Sequence, residues 1–412
     1  MRTGDTASQH ASTFSPPLPL IVDHIDEEYR VLAPEEEGII LALQHRDRVR
    51  RIRVRKPLST LQRLIVALDG DFPILEYLSI DERRFTRPLV DHITSLNLPE
   101  TFRAPHLRQL VLDNFVTSIK SLPLITTGNL VTLILTSIPS FGYFHPNVLL
   151  QQLSLMPYLE TLAIIFNCYN SSRDVEGHLF RPPVMVQVTL PNLRCLKFEG
   201  TNAYLETLLP WVTIPLLERF YTHLFNRMMY SIPHLRRFLS NLGNLRLKTA
   251  TVTFEADYLN MVAYAHEGER LYTLPIGLGG KHFDWQVVSA AQVLHAFKAV
   301  FSTVEYLTLD YDRHNISSEW NGQANHTHWR ELLGSFENVR TLQVEYGLVE
   351  QVSCALQPGE GESPTGLFPE LQELAYAYES HSRRAALRAF TPFIDARQKA
   401  GRPVTVNDFV KR

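Results

Sequence analysis

A chain of 412 residues is longer than one compact core usually grows, so it divides into domains or forms one elongated array of repeats. With 45% hydrophobic and 20% charged residues it has the composition of an ordinary globular protein, which excludes disorder along its whole length. Forty basic against 43 acidic residues leave a formal charge of -3, with no global pull toward nucleic acid or anionic lipid, and neither is expected as a partner.

Residues 1–14 are polar and lack the basic start and apolar core of a signal peptide, so they are expected to form a disordered tail. Residues 15–48 are read as an N-terminal cap. After Pro16 and Pro17, Leu18, Leu20 and Val22 alternate as in an edge strand. The stretch 34–47 comes next, a short helix whose acidic residues fall in its first turn, at the favourable end of the helix dipole.

A nine-residue phrase then begins to recur, clearest as FPILEYLSI at 72–80. Leu75, Leu78 and Ile80 stand at i, i+3 and i+5. The last two share one face of a strand, while the first closes the preceding turn onto the same core. This L-x-x-L-x-L spacing is that of a leucine-rich repeat. It recurs as Val49, Ile52, Val54; Leu107, Leu110, Leu112; Leu130, Leu133, Leu135; Leu159, Leu162, Ile164; and Leu193, Leu196, Phe198. Two degenerate copies come after these, around Leu217 and Phe220 and around Leu245, Val252 and Phe254. RLYTLPI restores the pattern with Leu271, Leu274 and Ile276. The last copies are Val304, Leu307, Leu309; Val339, Leu342, Val344; and Leu371, Leu374, Tyr376. The mean step of about 29 residues is at the long end of the leucine-rich-repeat range. The expected fold is an α/β solenoid of about twelve irregular repeats over 49–383, a curved parallel sheet inside and helices or loops on the convex side.

Helical spacing between the strand phrases predicts helices at 60–68, 203–212, 234–242, 287–301 and 328–336, the second cut short at Pro210. Irregular connections are expected at 81–103, 166–189, 310–326 and 356–366. Residues 384–412 are read as a C-terminal cap, a helix stopped by Gly401 and a short strand after Pro403.

Chemistry is sparse. GLGGKHFDW (277–285) lacks the first glycine of a phosphate loop and has His282 where Ser or Thr belongs, so it reads as a turn. His314, His326 and His328 with Asp310 and Asp312 share a polar stretch where solvated histidines are the default. Cys168, Cys195 and Cys354 form no metal-like pairing, as in a reducing compartment, and the sequons at Asn170, Asn315 and Asn325 have no secretory leader before them. With no apolar run of membrane length, an intracellular protein without metal, cofactor or catalytic residues is expected.

The register of the phrase places the residues that alternate with its strand leucines outward on the concave face. Arg51, Arg53 and Arg55 then form a basic first strand, suited to an acidic or phosphorylated partner segment. Tyr77, Ser79 and Asp81 come next, then Gln109 and Asp113, Lys197 and Glu199, Thr308 and Asp310, Gln343 and Glu345, and Glu373. Arg51, Arg53, Arg55, Tyr77, Asp81, Asp113, Lys197, Glu199, Asp310 and Glu345 are the candidate partner-binding residues. The charge drifts from basic to acidic along the array, a gradient that would orient a partner.

The chain resembles the leucine-rich-repeat region of the F-box proteins found in mushroom-forming fungi. The resemblance is carried by SPPLPLIVDHI, EEEGIILALQHRDRVRRIRV, FPILEYLSI, LPETFRAPHLRQLVL, DWQVVSAAQVLHAFKAVFSTVEYLTL and FIDARQKAGRPVTV. It implies a substrate receptor of a cullin-based ubiquitin ligase, in which an F-box docks on a Skp-type adaptor and the repeats hold the target. The F-box itself, three helices with a Leu-Pro start and a closing Trp, is not read ahead of the repeats, and the first Trp of the chain, Trp211, falls within them. Adaptor and cullin are therefore expected as partners only with an F-box upstream. The alternative is a stand-alone repeat scaffold or decoy.

Overall fold

The computed structural model of the chain describes residues 18–25, 33–82, 96–114, 128–139, 142–167, 186–225, 231–241, 247–256, 258–267, 270–280, 282–311, 326–359, 363, 365–378 and 383–410. The expected tail 1–14, Cys168 and the three sequons lie outside these residues, as do Leu245 and most of the four long connections. The fold gathers into two compact units, Met1–Leu217 and Glu218–Arg412.

The first unit contains β1 (Leu20–Ile25), α1 (Ala33–Gln44), β2 (Val49–Lys56), α2 (Leu58–Ala67), β3 (Tyr77–Glu82), β4 (Gln109–Asp113), β5 (Thr132–Ile138), α3 (Pro146–Leu153), β6 (Thr161–Phe166), β7 (Val188–Thr189), β8 (Cys195–Gly200), α4 (Asn202–Leu208) and β9 (Val212–Thr213). Among the described residues, β1, β2, β3, β4, β5, β6 and β8 lie side by side in chain order, every neighbour parallel. The pairing register turns the sequence phrase into columns. Ile52, Leu78, Leu110, Leu133, Leu162 and Leu196 align across successive strands. Val54, Ile80, Leu112, Leu135, Ile164 and Phe198 align two residues on. All twelve are buried, as are Val49 at the start of β2 and Leu75, Leu107, Leu130, Leu159 and Leu193 in the turns before their strands. The columns exist because side chains two apart in a strand share a face. Truncating one such leucine to alanine costs about 2–5 kcal/mol.

The connections are built by local chemistry. In α3, Pro146 occupies the first turn and the His145 ring accepts a hydrogen bond from Asn147 N–H at 3.1 Å. In α4, Thr201 caps the start and Pro210 converts the end to a 3-10 turn, Leu209–Trp211. Asn192, just before the first leucine of its repeat, donates from Nδ2 to the Pro157 carbonyl of the preceding repeat at 2.9 Å. Neighbouring repeats are thus tied at their turns as well as along their strands.

The second unit contains β10 (Arg219–Leu224), α5 (Pro233–Asn241), β11 (Thr249–Phe254), β12 (Tyr258–Glu267), β13 (Arg270–Gly279), α6 (Phe283–Ala296), α7 (Lys298–Phe301), β14 (Tyr306–Tyr311), α8 (His326–Leu333), β15 (Thr341–Val344), α9 (Val349–Leu356), β16 (Glu373–Tyr378), α10 (Arg383–Lys399) and β17 (Thr405–Val410). Here the sheet departs from chain order. The sequence β10, β13, β12, β11, β14, β15, β16, β17 includes β12, which is antiparallel to both its neighbours. RLYTLPI therefore does not begin a further parallel repeat after β11. It is the second arm of a hairpin whose first arm, YLNMVAYAHE, is a strand the repeat pattern does not mark.

β13 nevertheless joins β10 in parallel, pairing Arg219 with Thr273 and Thr222 with Ile276. That register passes over Pro275, which has no N–H to give a ladder. Farther along, Gly277 faces His223, and a Cβ at position 277 would come within 2.8 Å of the His223 ring. Beyond the hairpin the columns resume, with Leu307, Leu342, Leu374 and Val406 aligned.

The C-terminal end is closed from the side. Arg397 of α10, 1% exposed, donates to the Phe368 carbonyl at 3.0 Å, the Leu371 carbonyl at 3.1 Å and the Arg402 carbonyl at 3.3 Å. Burial, then nearby Arg402, lowers its pKa below that of a free guanidinium. Gly401, at φ 70, ends the helix, and β17 pairs parallel with β16.

Candidate functional site

With one strand face committed to the leucine columns, the alternate side chains face outward, and adjacent strands hold them about 4.8 Å apart. On β2 these are Arg51, Arg53 and Arg55, as the sequence register has them. They are not an isolated basic strip. The Arg51 guanidinium lies 4.5 Å from the Tyr77 ring centroid and 3.8 Å from Asp23 of β1, while Arg55 pairs with Asp81 at 3.2 Å. Arg53 is exposed and makes no ion pair among the described residues. Ser79, expected outward between Tyr77 and Asp81, is buried.

Asp81 sits between opposing influences. Burial raises its pKa first, and Asp113 on the next strand raises it further, against lowering by Arg55 and Arg53. Asp113 in turn accepts a hydrogen bond from the Thr136 hydroxyl at 2.8 Å. Lys197 and Glu199, two apart on β8, pair with each other at 2.8 Å. At the start of the first unit the charge therefore changes sign from strand to strand: the three arginines of β2 are flanked by Asp23 of β1 and Asp81 of β3, and Asp113 of β4 repeats the acid.

In the second unit, the Asp310 carboxylate accepts from the Tyr311 N–H at 2.8 Å. Glu345 differs from its expected exposure: it comes directly after β15 and is only 8% exposed. Of the polar stretch considered for metal, Asp312 and His314 lie outside the described residues, and the His326 ring contacts the Cys354 carbonyl at 2.8 Å. Among the described residues no group of three His, Cys, Asp or Glu side chains is placed to hold a metal ion. Among the described residues, Cys195 and Cys354 form no disulfide. Among the described residues no helix is long and apolar enough to cross a membrane.

A second row of side chains stands where the chain enters each strand, at the position directly after the first leucine of the phrase. In the first unit it runs Arg50, Glu76, Arg108, Val131, Glu160, Arg194. Each N–H in the row bonds the carbonyl of the row residue before it, at 2.8 to 2.9 Å. Arg50 and Glu76 form an ion pair at 3.0 Å. Beside the row lies a groove of about 640 Å³. The rim is legible in the same phrase, since the one position after its first leucine carries Arg50, Glu76, Arg108, Glu160 and Arg194.

No protein-family model matches the chain, and no curated protein matches it. Among solved structures it is similar to the leucine-rich repeat-containing protein LegL7 from Legionella pneumophila, with 13% identity, 69% of this chain and 90% of that chain covered, and a TM-score of 0.24. The fold assignment rests instead on the strand register: in each repeat from β2 to β8, one phrase gives one strand, one buried first residue and two buried strand columns. The chain has an α/β leucine-rich-repeat fold.

Proposed function

We propose that the chain is a non-catalytic protein-recognition module that holds its target on the exposed strand face of β2, β3 and β4. The observation that carries this reading is the fixed outward row of Arg51, Arg53, Arg55, Tyr77, Asp81 and Asp113, which offers charge of both signs and an aromatic ring on a rigid ladder. Exposed Arg53 supplies a cation for an acidic or phosphorylated group of the target, and Arg stacked on Tyr77 supplies a flat, amphipathic platform. Open rows of side chains suit recognition better than catalysis, which needs an enclosed site to exclude water.

The finer reading comes from the resemblance to fungal F-box repeat proteins: the target-binding arm of a cullin-based ubiquitin ligase. The tagged chain would be purified from its own cells beside Arg51→Glu/Arg53→Glu, and the partners compared by quantitative mass spectrometry. A Skp-type adaptor and cullin with the wild type, together with a target depleted about tenfold or more in the variant, is the expected result. A target lost in the variant without adaptor or cullin would retain recognition and replace the ligase arm by a free-standing scaffold. Partners recovered equally by both chains would overturn the strand-face reading.

A further inference from the structure

The groove beside the strand-entry rim of the first unit is a different surface from the strand face, and it has its own chemistry. It is lined by side chains from successive repeats, among them Ile74, Glu76, Arg108, Val131, Tyr158 and Glu160. Tyr158 is 57% exposed and Ile74 36%, so the groove presents apolar surface to solvent. Of its charges, Glu76 is already paired with Arg50, whereas exposed Arg108 and Glu160 make no ion pair among the described residues.

Among the described residues, one cation and one anion of the groove are thus left for a partner, with Val131 between them in the row. Arg108 precedes β4, Val131 precedes β5 and Glu160 precedes β6, so the two charges are two strand spacings apart, about 10 Å. A segment in the polyproline II conformation rises about 3.1 Å per residue and turns once in three residues, so side chains three positions apart share one face about 9 Å apart, close to this span. We infer that this rim is a docking groove for an extended segment of another protein carrying an acidic residue and a lysine or arginine three positions apart, in either order, with an apolar residue between them. The acidic side chain meets Arg108, the basic one meets Glu160, and the apolar one rests on Val131 and Tyr158. Complementary charge fixes the register of the segment, and the exposed apolar floor supplies the burial.

The inference is independent of the strand-face reading and is tested separately from it. A display library of random twelve-residue peptides would be selected on the full chain, and the enriched peptides measured against four variants. The expected pool carries the acidic-apolar-basic spacing and binds about tenfold more weakly to Arg108→Glu and to Glu160→Arg, the size expected for losing a partly screened charge pair. It keeps its affinity for Arg53→Glu/Tyr77→Ala. The double exchange Arg108→Glu/Glu160→Arg recovers binding of peptides with that spacing, since a segment lying in the opposite direction meets the exchanged charges. A pool without the charge pair, no enriched pool, or binding that survives Arg108→Glu would overturn the groove. A pool lost only in Arg53→Glu/Tyr77→Ala would also overturn it, while supporting the strand face.

Discussion

The two units solve the same packing problem in different ways. From β1 to β8 the chain advances one parallel strand per repeat, and each long connection returns it to the same edge. From β10 to β14 it instead folds a hairpin into the sheet and places β11 beyond it. Both arrangements bury the same kinds of residue: Leu162 and Leu196 in the first, Val252, Met261 and Ile276 in the second. Apolar spacing therefore fixes which face a strand buries, and it leaves strand order and direction to the connections.

The largest expected effect tests the columns of the regular unit. Leu196→Asp places a carboxylate among Leu162, Phe198 and their neighbours, adding the cost of an unpartnered buried charge to the few kcal/mol of lost packing. The cooperative thermal transition observed by circular dichroism should be abolished or displaced far downward. An unchanged transition would dismiss the register.

Val262→Pro addresses the hairpin. β12 is paired on both sides, so a proline there removes a ladder hydrogen bond and should cost about 3 kcal/mol. Amide exchange should accelerate in β11 and β13 together; acceleration in only one of them would mean that β12 does not join the two.

Arg397→Met should rank close behind, at about 2–3 kcal/mol, because methionine fills the stem but leaves the Phe368 and Leu371 carbonyls without their charged donor. Faster exchange in β16 and β17 would show it. Equal exchange in wild type and variant would make the clamp dispensable.

Asp81→Asn is the smallest and most diagnostic of the charge balance. Since the folded carboxyl has its pKa raised above the ordinary 3.8, chiefly by burial and then by Asp113, ionisation weakens the folded state. That penalty is absent below the ordinary Asp range, grows as pH rises through the folded pKa, and persists above it. Asparagine removes this pH dependence, so the variant should gain on the wild type as pH climbs from 3 to 7. The gain should be about 1 °C or less, because the carboxylate is partly solvated and its ion pair to Arg55 is lost as well. A wild type that gains on the variant over that range would make the Arg55 pair the stronger influence.

How far the sequence carries can be read from particular residues. Leu75, Leu78 and Ile80 announce their burial because strand periodicity converts spacing directly into a face. β12 escaped because YLNMVAYAHE alternates like any half-buried strand, while its direction is decided by the loop that joins it to the next strand. Only Gly268 and Glu269 separate it from β13, a connection that permits a hairpin and is far too short for a parallel crossover. α3 and α9 were missed for another reason: His145 is not a favoured cap, and VEQVSCAL is too short for a clear helical period. At the candidate site, the outward placement of Arg51 and Arg55 was legible. Their partners Asp23, Tyr77 and Asp81 were not, since they depend on strand neighbours and side-chain reach that no local pattern specifies.

Everything functional here rests on outward side chains being held by paired strands with sealed columns behind them. Hydrogen–deuterium exchange of the native chain, resolved strand by strand, tests that most directly. Slow exchange throughout β2 to β6 and β8, with β12 protected as well as β11 and β13, is the predicted result. Exchange at free-chain rates in β3 or β4 would contradict it, because the proposed recognition face would then have no rigid ladder beneath it.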